Sequence, residues 1–258
     1  MLKLLLGLAL LEVSSGTRLG KIFGGNTTSI SEHSFLVNIR RSGEFRCGGV
    51  LISPSCVLTA AHCLERRHHQ VQDLTIHAQQ QCLGEHSPQE HVRHAWYARV
   101  SPYYCPEQGL DSDVAVIRLS RPFDISGNAS LIKIDYNDLP ERANLTVMGW
   151  GKIDSHGHNR NQCLQAAQVQ LIPQKRCNEH VGSPMQWVTQ NMFCALGEKA
   201  KDACQGDSGG PVINDDGRTV GIVSWGYGCG SGYPGVYTRL GSPSITYWLK
   251  RFVERHCW

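Results

Sequence analysis

Gly206-Asp207-Ser208-Gly209-Gly210 decides how this chain is read, because two further contexts stand upstream of it: Ala60-Ala61-His62-Cys63 and Asp113-Val114-Ala115-Val116. His, Asp and Ser therefore occur in that order, in three separate settings. A serine hydroxyl is a poor nucleophile at neutral pH, so attack on an amide needs a base within hydrogen-bond reach and a third group to hold that base. Ser208 is the candidate nucleophile, His62 the base and Asp113 the holder; the imidazole takes the serine proton and returns it to the leaving amine, while the carboxylate fixes the tautomer. Asp111 rivals Asp113, but the apolar run Val114-Ala115-Val116-Ile117 starts directly after Asp113, where a strand enters the core, and Asp111 is expected in a solvated loop. The backbone N–H groups of Gly206 and Ser208 are the candidate oxyanion donors, since a residue without a side chain at 206 lets the loop turn until both converge.

The 258 residues and 41% hydrophobic content allow a sizeable core. The net charge of +3 comes without a run of Lys or Arg, which argues against nucleic acid as the partner. Met1-Leu2-Lys3, the apolar stretch from Leu4 to Leu11 and the small residues Ser14, Ser15 and Gly16 have the layout of a secretory signal peptide over 1–16, too short to span a bilayer. No later stretch has the length and apolarity of a membrane span, so no membrane partner is expected, and the localisation expected is secreted and extracellular. Eleven cysteines in an exported chain imply a disulfide framework with at least one thiol left over. The sequons at Asn26, Asn128 and Asn144 are glycosylation candidates that fit an exported surface.

Beyond a short segment over 17–21 ending in Lys21, apolar strands broken by Gly, Pro, Ser and Asn are expected from Ser34 to Arg40, Cys47 to Ser53, Val114 to Leu119, Leu145 to Gly149, Ala167 to Ile172, Pro211 to Ile213, Thr219 to Trp225 and Gly235 to Arg239. That density of turns points to β-barrels. A helix is expected over 243–256, where Ile245, Trp248, Leu249, Phe252 and Val253 recur at helical spacing behind Ser242 as cap and Pro243 in the first turn. His62 and Asp113 lie in the first half and Ser208 in the second, so a cleft between two barrels brings them together.

From Ile22 to the C-terminal helix, these motifs resemble the trypsin/chymotrypsin family of serine endopeptidases. The resemblance implies an all-β fold of two antiparallel six-stranded barrels, about 22–127 and 128–241, with the active site between them. It implies no cofactor. It places Asp202, six residues before the nucleophile, at the floor of the primary specificity pocket, with Gly226 and Gly235 as open walls, so cleavage follows Arg or Lys. Ala203 stands where trypsin itself has a serine; without that hydroxyl to solvate an ammonium, Arg is expected over Lys, because a guanidinium binds a carboxylate bidentately. Ser224-Trp225-Gly226 resembles the strand that pairs with substrate backbone.

Cleavage after Lys21, by a trypsin-like protease or by the enzyme itself, would free Ile22 to pair with Asp207, which makes the encoded chain a zymogen; Phe23 replaces the more usual valine. The expected partners are proteins or peptides with exposed Arg or Lys, and protein protease inhibitors. The resemblance also implies the bridges Cys47-Cys63, Cys177-Cys194 and Cys204-Cys229, with Cys105-Cys257 as a fourth. Cys56, Cys82 and Cys163 stay unassigned, and the odd thiol is expected among them. A further family bridge lacks its cysteines at Leu145 and Asn214. Leu83-Gly84-Glu85-His86 resembles the start of a calcium loop, but Glu85 and Glu90 alone offer too few oxygens, and no metal site is expected.

Overall fold

The computed structural model describes residues 25–64, 71–127, 129–152, 163–181, 187–198 and 202–258. The expected signal segment, Lys21, Ile22, Phe23 and Asn128 lie outside the described residues.

Six strands close the first barrel: β2 (Leu36–Arg41), β3 (Glu44–Ser53), β4 (Cys56–Thr59), β5 (Leu74–Ala78), β6 (Val92–Val100) and β7 (Ala115–Leu119), in the spatial order β2-β3-β4-β7-β6-β5. The second barrel comprises β8 (Asn144–Gly149), β9 (Gln165–Ile172), β10 (Met192–Leu196), β11 (Pro211–Asn214), β12 (Thr219–Trp225) and β13 (Gly235–Arg239), ordered β9-β10-β13-β12-β11-β8 and closed by pairing of β8 with β9. Every strand pairing is antiparallel. The expected all-β, two-barrel architecture is therefore what the chain adopts. The two-residue β1 (Asn26–Thr27) adds to β9, so the start of the described chain lies on the second barrel before the first is built.

Period-two burial explains the barrels. In β5 and β9 alternate residues point inward, and Leu74, Ile76 and Ala78 fill the first barrel with Leu51, Val57, Ala115, Ile117 and others. The second barrel is filled by Leu145, Val147, Val169, Phe193, Val212 and Tyr237, with Phe193 stacked on Tyr237 at 5.3 Å. A third cluster joins the barrels, where Val50, Leu58 and Val114 meet Met148, Trp150 and Ile222, and α2 (Pro243–His256) adds Ile245, Leu249 and Phe252. This shared core fixes the angle of the cleft. The expected helix has its expected bounds, but the Ser242 hydroxyl makes no capping hydrogen bond; the Ser242 carbonyl accepts the Thr246 N–H at 2.9 Å instead. A second helix, α1 (Gln174–Val181), lies in a polar stretch whose helical signal is only Cys177 and Val181 facing inward.

Five disulfides join the described residues. Cys47–Cys63, Cys177–Cys194 and Cys204–Cys229 are those expected. Cys105–Cys257 is not formed: Cys257 pairs with Cys56, and Cys105 is the free thiol. The reason lies in packing, because α2 ends against β4, where Cys56 is fully buried, whereas Cys105 is held in its own loop by reciprocal backbone bonds with Asp111, each 3.0 Å. Cys82 pairs with Cys163, tying a first-barrel loop to the entry of β9. Leu145 and Asn214 are register partners across β8 and β11, so strand pairing alone makes that contact.

Candidate active site

His62 sits in a short 3-10 turn (Ala61–Leu64) that follows β4 directly, while Asp113 immediately precedes the buried run into β7. The His62 Nδ1 lies 2.7 Å from Asp113 Oδ2, and the His62 backbone N–H donates to Asp113 Oδ1 at 2.9 Å. The Asp113 side chain is fully buried and the His62 side chain is 20% exposed, so the ring is held from behind and open in front. Two further groups hold Asp113: the Ser224 hydroxyl donates to Oδ2 at 2.5 Å, and the Thr238 hydroxyl donates to the Asp113 carbonyl at 2.8 Å. The sequence offers no signal for either bond, since Ser224 and Thr238 lie more than a hundred residues away.

Asp111 diverges from Asp113, and not into solvent as expected. It is buried and accepts from Thr189 Oγ1, from Asn191 Nδ2 and, at 3.0 Å, from Ser112 Oγ. Leu110 and Ser112 on either side have φ of 62° and 54°, which turns the chain so that the two carboxylates leave in different directions.

Ser208 is carried to the cleft by the second barrel. Its carbonyl accepts the Gly48 N–H at 2.8 Å, and Gly209 packs so tightly on β3 and β4 that an added Cβ would come within 2.3 Å of Thr59 Oγ1. Thr59 lies three residues before His62, and Ser224 lines the same cavity as Ser208 while bonding Asp113. These contacts bring the three sequence-predicted residues into one place. Gly206 has φ of +100°, a conformation L side chains rarely adopt, and among the described residues neither the Gly206 nor the Ser208 N–H has an acceptor.

A cavity of about 190 Å³ opens beside Ser208, lined by Ala203, Ser224, Trp225, Gly226, Gly235 and the Cys204–Cys229 bridge. Asp202 lies behind that lining, 1% exposed, with the Tyr237 hydroxyl donating to Oδ1 at 3.1 Å. A Cβ on Gly235 would stand 2.5 Å from Asp202 Oδ1, so that wall depends on glycine, whereas one on Gly226 would make only an ordinary contact, 3.7 Å from the Gly235 Cα. Burial pushes the Asp202 carboxyl up to about 7, against the opposing pull of the Tyr237 and Ala203 donors. Trp225 is partly buried against the α1 cluster and meets Tyr227 edge-on at 5.6 Å. A larger recess of about 450 Å³ lies on the outer face of β8 and β9, lined by Asn144, Gln168 and Gln170, and holds none of the candidate catalytic residues.

Asp207 is a second buried carboxylate, 1% exposed, accepting from the Gly151 and Cys204 N–H groups at 2.8 Å each. Gly149 and Gly151 make room for it, since a Cβ at either would stand 2.2 and 2.6 Å from its nearest carboxylate atom. Burial raises its pKa to about 6, and no cation lies within ion-pair range among the described residues. The cluster of Cys47, Cys63 and His62 has the proximity of a metal site, but its two sulfurs are joined to each other and offer no thiolate. In the loop compared above with a calcium site, a guanidinium is already at the centre. Arg40 donates to Gln80 Oε1 and the Leu83 carbonyl at 2.8 Å each and to Asn38 Oδ1 at 3.0 Å, while the Glu85 carboxylate is turned to the Cys82 N–H.

Two β-barrels with a buried Asp113–His62 couple, and a serine on a glycine-lined turn beside the Ser224 that bonds Asp113, fit a serine hydrolase of the chymotrypsin fold. The family model described as Trypsin matches residues 22–249. Curated relatives include "Trypsin epsilon" of Drosophila erecta, 35% identical over 224 residues covering 84% of this chain and 82% of the relative. "Trypsin Blo t 3" of Blomia tropicalis is 35% identical over 90% of this chain and 85% of its own length, and "Trypsin" of Phaedon cochleariae is 32% identical over 85% and 84%. The chain belongs to the trypsin family and is a serine-type endopeptidase. Membership implies protein substrates and protein protease inhibitors as partners.

Proposed function

We propose that the protein is a secreted zymogen which, cleaved after Lys21, hydrolyses peptide bonds on the carboxyl side of Arg, and less well of Lys, through an acyl-enzyme. Ser208 attacks the carbonyl as His62 removes its proton, Asp113 stabilises the imidazolium, and the Gly206 and Ser208 N–H groups receive the oxyanion. The observation that carries the specificity is the buried Asp202 carboxylate behind a glycine-walled cavity beside Ser208. A long cationic side chain entering that slot meets its counter-charge where water is excluded, so a neutral residue there leaves Asp202 unpaired. Ala203 offers no hydroxyl for an ammonium, which favours the bidentate guanidinium.

The zymogen reading is supported by Asp207, a buried carboxylate with two N–H donors and no cation in range among the described residues. A new α-ammonium at Ile22 supplies that cation; pairing raises its pKa above the ordinary value of about 8, and activity falls when alkaline pH removes the proton. Five disulfides support an oxidising, extracellular destination for the domain over 22–258 and removal of 1–16 as signal peptide.

The test is to cleave the proenzyme after Lys21 and compare kcat/KM on matched peptides with Arg, Lys or Phe before the scissile bond. The expected order is Arg, then Lys, with Phe lower by at least about a thousandfold, activity only after cleavage, and loss of at least that factor in Ser208→Ala. Equal rates on Arg and Lys refute the Ala203 argument, and turnover of Phe peptides refutes the role of Asp202.

A further inference from the structure

Arginines scattered in the sequence converge on the outer wall of the first barrel. Tyr97 faces outward from β6 opposite Arg118 of β7, and the Arg99 guanidinium lies 5.7 Å from the Tyr97 ring centre. Tyr97 also meets His256 of α2 edge-on at 6.3 Å, and the exposed Arg255 precedes His256 in the last turn of that helix. Arg121 follows the end of β7, where Ser120 bonds the His94 carbonyl of β6 at 2.9 Å. Arg99, Arg121 and Arg255 are exposed, and no arginine of this wall has a carboxylate within 4.0 Å among the described residues; Glu90, Asp124 and Glu254 on the same elements pair with none of them.

One aromatic side chain on this wall stays largely exposed although its ring meets Tyr97 edge-on at 5.2 Å. The register of β6 against β7 shifts between Ala95 and Tyr97, so Trp96 is the extra residue of a β-bulge, and its side chain is 66% exposed. A bulge re-aims a side chain at a cost in strand pairing. Here it leaves an exposed indole on the segment from His94 to Arg99, about 16 Å long at the usual strand rise, with the Arg99 guanidinium at one end and Arg118 on the neighbouring strand.

We infer that this wall is a binding site for an anionic polysaccharide carrying sulfate or carboxylate groups, separate from the catalytic cleft. Guanidinium forks match such groups bidentately, and an exposed indole stacks on the apolar face of a pyranose ring as it does on other flat, partly apolar surfaces. An acidic polypeptide would use the charges but has no sugar face for Trp96.

The probe is a size-defined heparin oligosaccharide, titrated against the full chain at several salt concentrations, with neutral dextran and poly-glutamate alongside. Arg99→Ser with Arg121→Ser removes two exposed side chains that make no hydrogen bond among the described residues, so folding is preserved. Kd for the oligosaccharide is expected to rise on the order of tenfold in this pair, with a shallower dependence of log K on log salt. Trp96→Ala weakens binding several-fold without changing that slope, and kcat/KM on small peptides is unaffected by any of the three substitutions. The proposal is overturned if the distant pair Arg176→Ser and Arg218→Ser costs as much, which would mean net charge alone. It is also overturned if poly-glutamate binds the wall more tightly than the oligosaccharide.

Discussion

Asp202 and Ser224 show how much a single side chain depends on its surroundings. Burial raises the Asp202 carboxyl to about 7, so a proton competes with a cationic ligand for it. Affinity for a small amidinium probe should rise with pH up to about 7 and then level off, falling about tenfold for each pH unit below, and Asp202→Asn should abolish that dependence. Inhibition constants measured across pH check this. Ser224, expected only as part of the substrate-pairing strand, also donates to Asp113. Ser224→Ala should therefore lower kcat by about tenfold, in line with the loss of a hydrogen bond to a charged group, and a KM that stays constant would separate this positioning role from substrate contact.

Short elements with local rules were legible, and those shaped by distant partners were not. Thr219–Trp225 and Gly235–Arg239 have their expected bounds because both are short runs rich in β-branched and aromatic residues, which suit a strand without help from context. The strand Val92–Val100 gave no clear signal, since the bulge at Trp96 breaks its alternation and its outward face is polar. Cys56–Thr59 is buried on both faces, and a four-residue apolar run carries no period. In the Gln80–Glu85 loop the side chain that matters, Arg40, comes from β2. With a guanidinium already bonded to Gln80 and Leu83, added calcium or EDTA should leave Tm unchanged, whereas Arg40→Met should cost roughly 1–3 kcal/mol by stranding those acceptors. Thermal unfolding of the two proteins decides both points.

For the whole molecule, the buried Asp207 makes the uncleaved chain pH-sensitive. Its folded pKa of about 6 lies above the unfolded value of 3.8, so between those values the folded chain keeps a proton that the unfolded chain has released, and stability falls as pH rises through that window. Asp207→Asn removes the effect; relative to wild type, the uncleaved variant should gain stability from pH 4 to pH 6, by about 3 kcal/mol in all. Denaturant titrations at a series of pH values test it, and a constant difference would count against the unpaired carboxylate. The disulfide Cys82–Cys163 closes a loop across both barrels, and replacing the pair by serine should cost about 2–4 kcal/mol.

The order of His62, Asp113 and Ser208, strands such as Thr219–Trp225 and Gly235–Arg239 and the helix over 243–256 were readable from the chain, because each rests on local chemistry or on spacing along the backbone. Which cysteine met Cys257, where Asp111 turned, what filled the Gln80 loop, how His256 came to lie against Tyr97 and what held Asp113 from behind were not. Those depend on closing two barrels against a shared core and laying α2 across the first, and such closure brings together residues whose separation in sequence carries no record of their distance in space.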